Sequence, residues 1–429
     1  MNFKDLLSSN QIFAILAKAI EGIKVIGINA LVARFYGPEL FGQFTFVISI
    51  VSIIAVIAEF RLQSLLIKEY SKKDIELRIL LGSSLVINIF FAFIGFALVF
   101  IYSTFENNPI VATGLLIYAL SFFYKVPRLF RGFFISIEKN VLIAKCEVLS
   151  SCLTAVLIFI VVFNHYSIEY VLLTRSLDFL FISLFFIFYF YKSQDMLGKI
   201  EIKLDVIKHL VFKSAPLVLS GAAMILFQRI DIILVREYLG DYEAGLYGSA
   251  ANIMVLFSLV PLVLSESLAP KMFKGMDSEN YQEIRVKFSF IIISVGILLS
   301  LSMSVFSYPF IYLIYGEDYL VAFNTFLLLS VSPLLIALGS VAGQLIVADN
   351  TQNWSYIKSI IGCVATVFSN VLLIPLIGIE GAAISTVIGL FIANFAAHYF
   401  IPVYRKIFYI QCQSFKALPR HLYSMLSFR

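Results

Sequence analysis

The chain has 429 residues, 60% of them hydrophobic and only 14% charged, with a mean hydropathy of +0.94. Soluble domains carry about 25% charged residues, so this sequence cannot cover a water-facing surface, and it is too apolar to stay dispersed as a disordered chain. Its net charge of +5 is modest, and its 43 Phe and 22 Tyr beside a single Trp suit lipid-facing helices with interfacial tyrosines.

A bilayer core takes about 20 mostly apolar residues per helix. Runs of that size predict an all-α polytopic membrane protein with twelve spans, at 11–33, 42–58, 79–102, 110–134, 141–163, 168–191, 210–235, 244–266, 286–308, 321–347, 353–374 and 380–402. The first run carries Lys18, Glu21 and Lys24, and no small-residue cleavage site follows a short apolar core, so it reads as a retained span rather than a signal peptide. The charged stretch from Lys192 to Lys213 divides the spans six and six, predicting bundles at 1–200 and 201–429, the second with a short cytoplasmic tail.

Alternate loops hold the basic residues. Lys4, the 61–78 loop, the span four/five turn, the central linker, the loop after span eight and the tail together contain 25 Lys and Arg. The opposite loops contain only Arg34 and Arg236. The positive-inside rule therefore puts both termini in the cytoplasm. The opposite loops are also short, leaving no room for a soluble catalytic domain.

The two halves align without gaps over two stretches. At an offset of 203, Leu31, Val32, Gly37, Gly42 and Ile50 meet Leu234, Val235, Gly240, Gly245 and Ile253. At an offset of 211, Ile135, Glu138, Cys152, Ile168 and Glu169 meet Ile346, Asp349, Cys363, Ile379 and Glu380. Six spans per repeat make the repeats parallel, with an axis along the membrane normal and a substrate site expected between the halves. On span one, Gln11, Lys18, Gly22, Val25 and Asn29 share a stripe, which the first offset maps to Ser214, Gly221, Ile225, Gln228 and Ile232 on span seven.

Charged residues at bilayer depth cost about 2.5–3.5 kcal/mol each and should face water, a partner or a substrate. Lys18, Lys24, Asn29, Gln228, Arg229, Arg128 and Arg131 are the candidate cavity residues, and Glu21, Asp178 and Asp231 the candidates for proton or sodium coupling. The competing expectation is local neutralisation: Lys18 with Glu21, Arg175 with Asp178, Arg229 with Asp231, and Lys358 with Glu147 across the halves. The Lys125/Arg128/Arg131 series, every third residue, reads equally as positive-inside anchoring. A cationic cavity calls for an anionic cargo, for which phosphate or pyrophosphate is the obvious group.

The four cysteines form no CxxC pair and the four histidines are scattered, so neither a disulfide nor a metal site is expected. No GxxxxGK[ST], GxSxG or HExxH occurs, and no cofactor, catalytic residue or nucleic-acid partner is expected.

Ala33-Arg34-Phe35-Tyr36-Gly37-Pro38-Glu39-Leu40-Phe41-Gly42 resembles the element that closes the first helix of bacterial polysaccharide-biosynthesis (Wzx-type) flippases. Ser214-Ala215-Pro216-Leu217, Arg229-Ile230-Asp231 and Leu239-Gly240-Asp241 through Ala244-Gly245-Leu246-Tyr247 look like that family's seventh-helix pattern. Tyr315-Gly316-Glu317-Asp318-Tyr319 and Ile379-Glu380-Gly381-Ala382-Ala383 match two later elements, so the likeness runs from about residue 10 to 402, with Phe35 and Tyr36 departing slightly. The resemblance implies the multidrug/oligosaccharidyl-lipid/polysaccharide exporter fold, two six-helix bundles in a bacterial inner membrane. It also implies alternating-access translocation of an undecaprenyl-diphosphate-linked oligosaccharide, such as a lipopolysaccharide O-antigen repeat unit, with polymerase and chain-length regulator as assembly partners. A drug/cation antiporter of the same superfamily would need a carboxylate-rich cavity, whereas Lys18, Lys24 and Arg229 push the balance positive. A lipid II flippase would carry two further helices, and a glycosyltransferase or polymerase would need a large outer loop.

Overall fold

The computed structural model describes residues 9–72, 75–137, 139–193 and 201–426, all helix and connecting turn. Helices α1 (9–36) and α2 (38–58) run on from one another through Gly37, whose φ of 76° breaks an otherwise continuous helical stretch. The following helices are α3 (Leu62–Lys72), α4 (Leu77–Thr104), α5 (Pro109–Ser136), α6 (Asn140–Phe163), α7 (Ile168–Ser193) and α8 (Leu204–Leu239). After Gly240 (φ 101°) come α9 (Asp241–Lys274), α10 (Tyr281–Val305), α11 (Ser307–Ile314), α12 (Glu317–Leu329) and α13 (Ser332–Ala348). The last three are α14 (Ser355–Ile377), α15 (Ile379–Phe400) and α16 (Arg405–Leu426).

Nine described helices are long and apolar enough to cross a bilayer. Division of the first at Gly37, pairing of α12 with α13 across a 40° bend, and inclusion of α8 give twelve spans. Helix α8 is 36 residues long, carries Arg229, Asp231 and Arg236, and contains the span expected at 210–235. The protein is thus an all-α, multi-pass membrane protein. Its lipid-facing surface shows large exposed apolar side chains along the spans, such as Phe93, Phe188, Phe368 and Leu376.

The internal repeat is visible in the turns. Gly37 and Gly240, 203 residues apart, take positive φ at the same place in each half, and α7 and α15 both start at residues 211 apart, Ile168 and Ile379. Positive φ is cheap for glycine and strained for other L-residues, which is why these two turns keep glycine. By packing the chain divides into two compact units, Ser9–Arg229 and the part from Ile230 onward, with the division inside α8.

Helices outside the spans complete the units. In the first, α3 packs against 129–136, and Leu62, Leu66, Tyr70, Phe130, Phe133, Phe134, Phe186, Phe190 and Leu210 make a buried cluster. Burial pushes the Tyr70 hydroxyl well above its ordinary range. In the second unit the expected short tail is a helix of 22 residues, α16, which packs on α10 with Ile407, Ile410, Gln411 and Ser414 buried; Ser414 donates to the Val286 carbonyl of α10 and Gln411 to the Leu338 carbonyl of α13. Its apolar positions fall on one face among Arg, Lys and Gln, a pattern that hydropathy averages out. The four cysteines are free.

Candidate functional site

Helix α5 is the element that builds the site. It does not run straight: after Leu120 it tightens, and Val126–Arg128 form a single 3-10 turn around Pro127. Proline has no N–H to give to the preceding turn, and a 3-10 turn puts residues three apart on one line. Lys125 and Arg128 are therefore brought to the same side, over the ring of Phe179 on α7, at 4.4 and 5.8 Å from its centroid. Ser183 donates to the Tyr124 carbonyl at 2.6 Å and ties the bend to α7.

Opposite them α2 ends in two residues with left-handed backbone, Phe60 (φ 47°) and Arg61 (φ 51°). Such a pair costs about 1–3 kcal/mol per residue and persists only where the surroundings hold it. The strained turn puts Glu59 and Arg61 at one wall of a cavity of about 110 Å³, lined also by Gln63, Asn88, Phe122, Lys125, Val126, Arg128 and Leu129. Asn88 lies 11 residues into α4, roughly 16 Å from its start at 1.5 Å per residue, whereas Glu59, Arg61 and Gln63 lie at and just beyond the end of α2, so the cavity runs from that turn along α4.

The cavity holds three cations and one carboxylate. Lys125 Nζ donates to Glu59 Oε1 at 2.8 Å, with the Glu59 side chain 43% exposed and that of Lys125 14%. Burial opposes ionisation of Glu59, but Lys125, Arg128 and Arg61 outweigh it and hold its carboxyl below the usual range. Arg128 Nε is buried and finds no acceptor among the described residues. The Arg61 guanidinium lies against Gly221 of α8, where a Cβ would fall 2.2 Å from Arg61 Nε. Glycine at 221 thus makes room for the cation.

The other predicted site residues separate. Lys24 Nζ is 2.7 Å from Asp178 Oδ2, with side chains 10% and 8% exposed, and Asp178 Oδ1 accepts from Ser150 (2.8 Å) and Thr154 (2.9 Å). Asp178 is therefore neutralised by Lys24, 154 residues away, and not by Arg175 as local spacing suggested. Arg131 leaves the cationic series: its Nε is 2.9 Å from Glu147 Oε1. Arg229 does not pair with Asp231. Residues two apart on a helix point to different faces. Arg229 lies near Tyr118 and in the repulsive field of Arg175, whose Nε is buried with no acceptor. Asn29 is buried with Oδ1 lacking a donor, and Gln228 is exposed. The side chains of Lys18 and Glu21 lie outside the described residues.

In the second unit Asp231 is 5% exposed and collects Thr386 Oγ1 (2.6 Å), Tyr247 Oη (3.0 Å) and Asn370 Nδ2 as donors. No basic side chain of a described residue is paired with it. On α14, Asn370 Oδ1 and, one turn earlier, Thr366 Oγ1 are buried acceptors without a donor. Sequence reading found Asp231 but not its partners, which come from 16, 139 and 155 residues away. It counted Arg61 only among loop charges and left Lys125, with Arg128 and Arg131, evenly between anchoring and a functional role. The one local sign of the cavity is Pro127 set between Lys125 and Arg128.

Twelve spans with the same glycine turn in each repeat make this an all-α, multi-pass membrane protein. The fold is shared with a lipid II flippase MurJ in an inward closed conformation (TM-score 0.72, 16% identity, 97% of this chain and 93% of that one). It is shared also with an inward-facing multidrug-resistance MATE transporter of the MOP superfamily (TM-score 0.69, 15% identity, 91% and 95%). Residues 7–276 match the polysaccharide biosynthesis protein family, to which the chain belongs. A curated relative, the capsular polysaccharide biosynthesis protein CapF of Staphylococcus aureus, is 24% identical over 391 residues, 88% of this chain and 94% of its own.

Proposed function

We propose that the protein is a flippase that carries a polyprenyl-diphosphate-linked oligosaccharide, a surface-polysaccharide repeat unit such as an O-antigen or capsular unit, between leaflets of the cytoplasmic membrane. The observation that carries this reading is the cavity of Arg61, Lys125 and Arg128 with a single carboxylate, Glu59, at the end of an otherwise apolar span. A diphosphate-sugar headgroup cannot shed its water into hydrocarbon without replacement partners. Three cations, one of them with a donor still unspent, supply charge-assisted hydrogen bonds to phosphate oxygens, and Gln63 and Asn88 add neutral ones. The polyprenyl tail stays in lipid. Membership of the polysaccharide biosynthesis family supports this cargo over a drug or cation.

With both termini cytoplasmic, as the loop charges indicate, the cavity lies in the cytoplasmic half and takes the headgroup from the leaflet where it is made. Alternating access of the two repeats then delivers it outward. An interior-negative potential favours this direction, by about 4.6 kcal/mol per 100 mV for the two charges of a diphosphate diester. The Asp231 cluster suits an accompanying cation or proton: the carboxylate, the unspent Asn370 Oδ1 and the Thr oxygens are hard ligands, and a lone carboxylate at bilayer depth is otherwise costly. The reading is tested by deletion: lipid-linked repeat units should accumulate in the cytoplasmic leaflet and clear when the wild-type chain, but not a triple Arg61→Ala/Lys125→Ala/Arg128→Ala variant, is restored. Clearance by the triple variant would remove the cavity from the mechanism.

A further inference from the structure

The cavity contains one group that a pure anion site has no use for. Glu59 occupies the last position before the strained Phe60–Arg61 turn, at the C-terminal end of α2, its N–H bonded to the Ala55 carbonyl at 2.8 Å. Helix C-termini carry partial negative charge and favour cations. A carboxylate there, facing an anion cavity, is placed against both local and ligand electrostatics.

Its surroundings show what it does instead. Lys125 is the fixed member of the ion pair, 14% exposed and held over Phe179, whereas Glu59 is 43% exposed and free to swing on its two methylenes. Among the described residues Glu59 hydrogen-bonds Lys125, while Arg128 and Arg61 act on it only through their charge. Arg128 Nε remains without an acceptor and Arg61 rests against Gly221, so two cations stay open to a first phosphate contact while the third is occupied. Three cations and one carboxylate leave a formal charge of +2, which equals the two negative charges of a diphosphate diester and exceeds the single one of an ordinary phospholipid phosphate.

We propose that Glu59 is a built-in counter-ion of the headgroup cavity: it holds Lys125 while the cavity is empty, yields it to the second phosphate on loading, and takes it back on release, thereby setting how tightly the headgroup is held and how fast it leaves. This rests on the anion-cavity reading given above. It makes Glu59 a residue that tunes residence. No bond is made or broken, and the exchange is of one ionic hydrogen bond for another.

The test measures binding of inorganic pyrophosphate to the full chain in nanodiscs by calorimetry, beside translocation of a fluorescent polyprenyl-diphosphate oligosaccharide in vesicles. Glu59→Gln keeps the shape and removes the competitor. It should bind pyrophosphate about tenfold tighter than wild type and translocate more slowly, because release becomes limiting. Glu59→Asp, whose shorter stem draws back from Lys125, should tighten binding about threefold and carries the test if the Gln variant fails to fold. Unchanged or weaker binding in a folded variant would overturn the counter-ion role while leaving the cavity's assignment intact. A wild-type chain that binds no pyrophosphate would overturn the cavity reading itself, and this inference with it.

Discussion

Replacing Lys24 by methionine separates a structural charge from a cargo-binding one. In the structure Lys24 is spent on Asp178, 2.7 Å away with both side chains about nine-tenths buried, and among the described residues it is the donor to Asp178 Oδ2. Removing one partner of a buried pair strands the other charge, at a cost of about 3–5 kcal/mol. Asp178 Oδ1 keeps Ser150 and Thr154, which moderates the loss toward the lower end. Lys24→Met should therefore lower the apparent Tm in nanodiscs by several degrees. Lys24→Met/Asp178→Asn should recover most of it, since an Asn carbonyl still accepts from Ser150 and Thr154 and no charge is left stranded. Pyrophosphate binding by the folded double variant should stay within about twofold of wild type. Wild-type stability in Lys24→Met, or a double variant that is stable yet blind to pyrophosphate, would refute this reasoning and return Lys24 to the headgroup.

Arg128→Ala should weaken pyrophosphate binding about 10- to 100-fold, the range for losing a charge-assisted hydrogen bond of about 1.5–3 kcal/mol, as read by calorimetry. Gly221→Val should reproduce the binding loss of Arg61→Ala with helical content by circular dichroism unchanged, because the new Cβ takes the space of the Arg61 guanidinium. Asp231→Asn should abolish any dependence of vesicle transport on a sodium or proton gradient while leaving pyrophosphate binding intact. The Glu59–Lys125 pair gives a pH signature: the folded carboxyl lies below its ordinary value of 4.5, so its stabilisation is complete above that value and lost only as pH falls through the lower folded value. The Tm difference between wild type and Glu59→Gln should thus be constant from pH 8 to about 5 and shrink below about 4.

Much of the fold was legible because bilayer insertion demands long apolar runs. The predicted span 141–163 is Asn140–Phe163 and the predicted 168–191 is Ile168–Ser193. The offset of 203 found a shared backbone conformation at Gly37 and Gly240, since a positive-φ turn leaves a glycine behind. What escaped was whatever depends on a neighbour distant in sequence. Asp178 had Arg175 at the right helical spacing, yet a lysine on α1 reaches it; Glu147 takes Arg131 from the adjoining helix. The cavity escaped for another reason. A three-residue period in Lys125, Arg128 and Arg131 treats them alike, and only the 3-10 turn at Pro127 keeps the first two together and releases the third. Helix α16 was passed over because its apolar face and its Arg, Lys and Gln average to no hydropathy at all.

The most direct measurement is translocation in vesicles holding only this chain and a polyprenyl-diphosphate oligosaccharide, followed by accessibility of the sugar to an external lectin. The account requires wild-type protein to move the headgroup across and the Arg61→Ala/Lys125→Ala/Arg128→Ala variant, inserted in equal amount, to leave it where it began. Equal transfer by both, or transfer by neither while the lipid clears in cells, would contradict it.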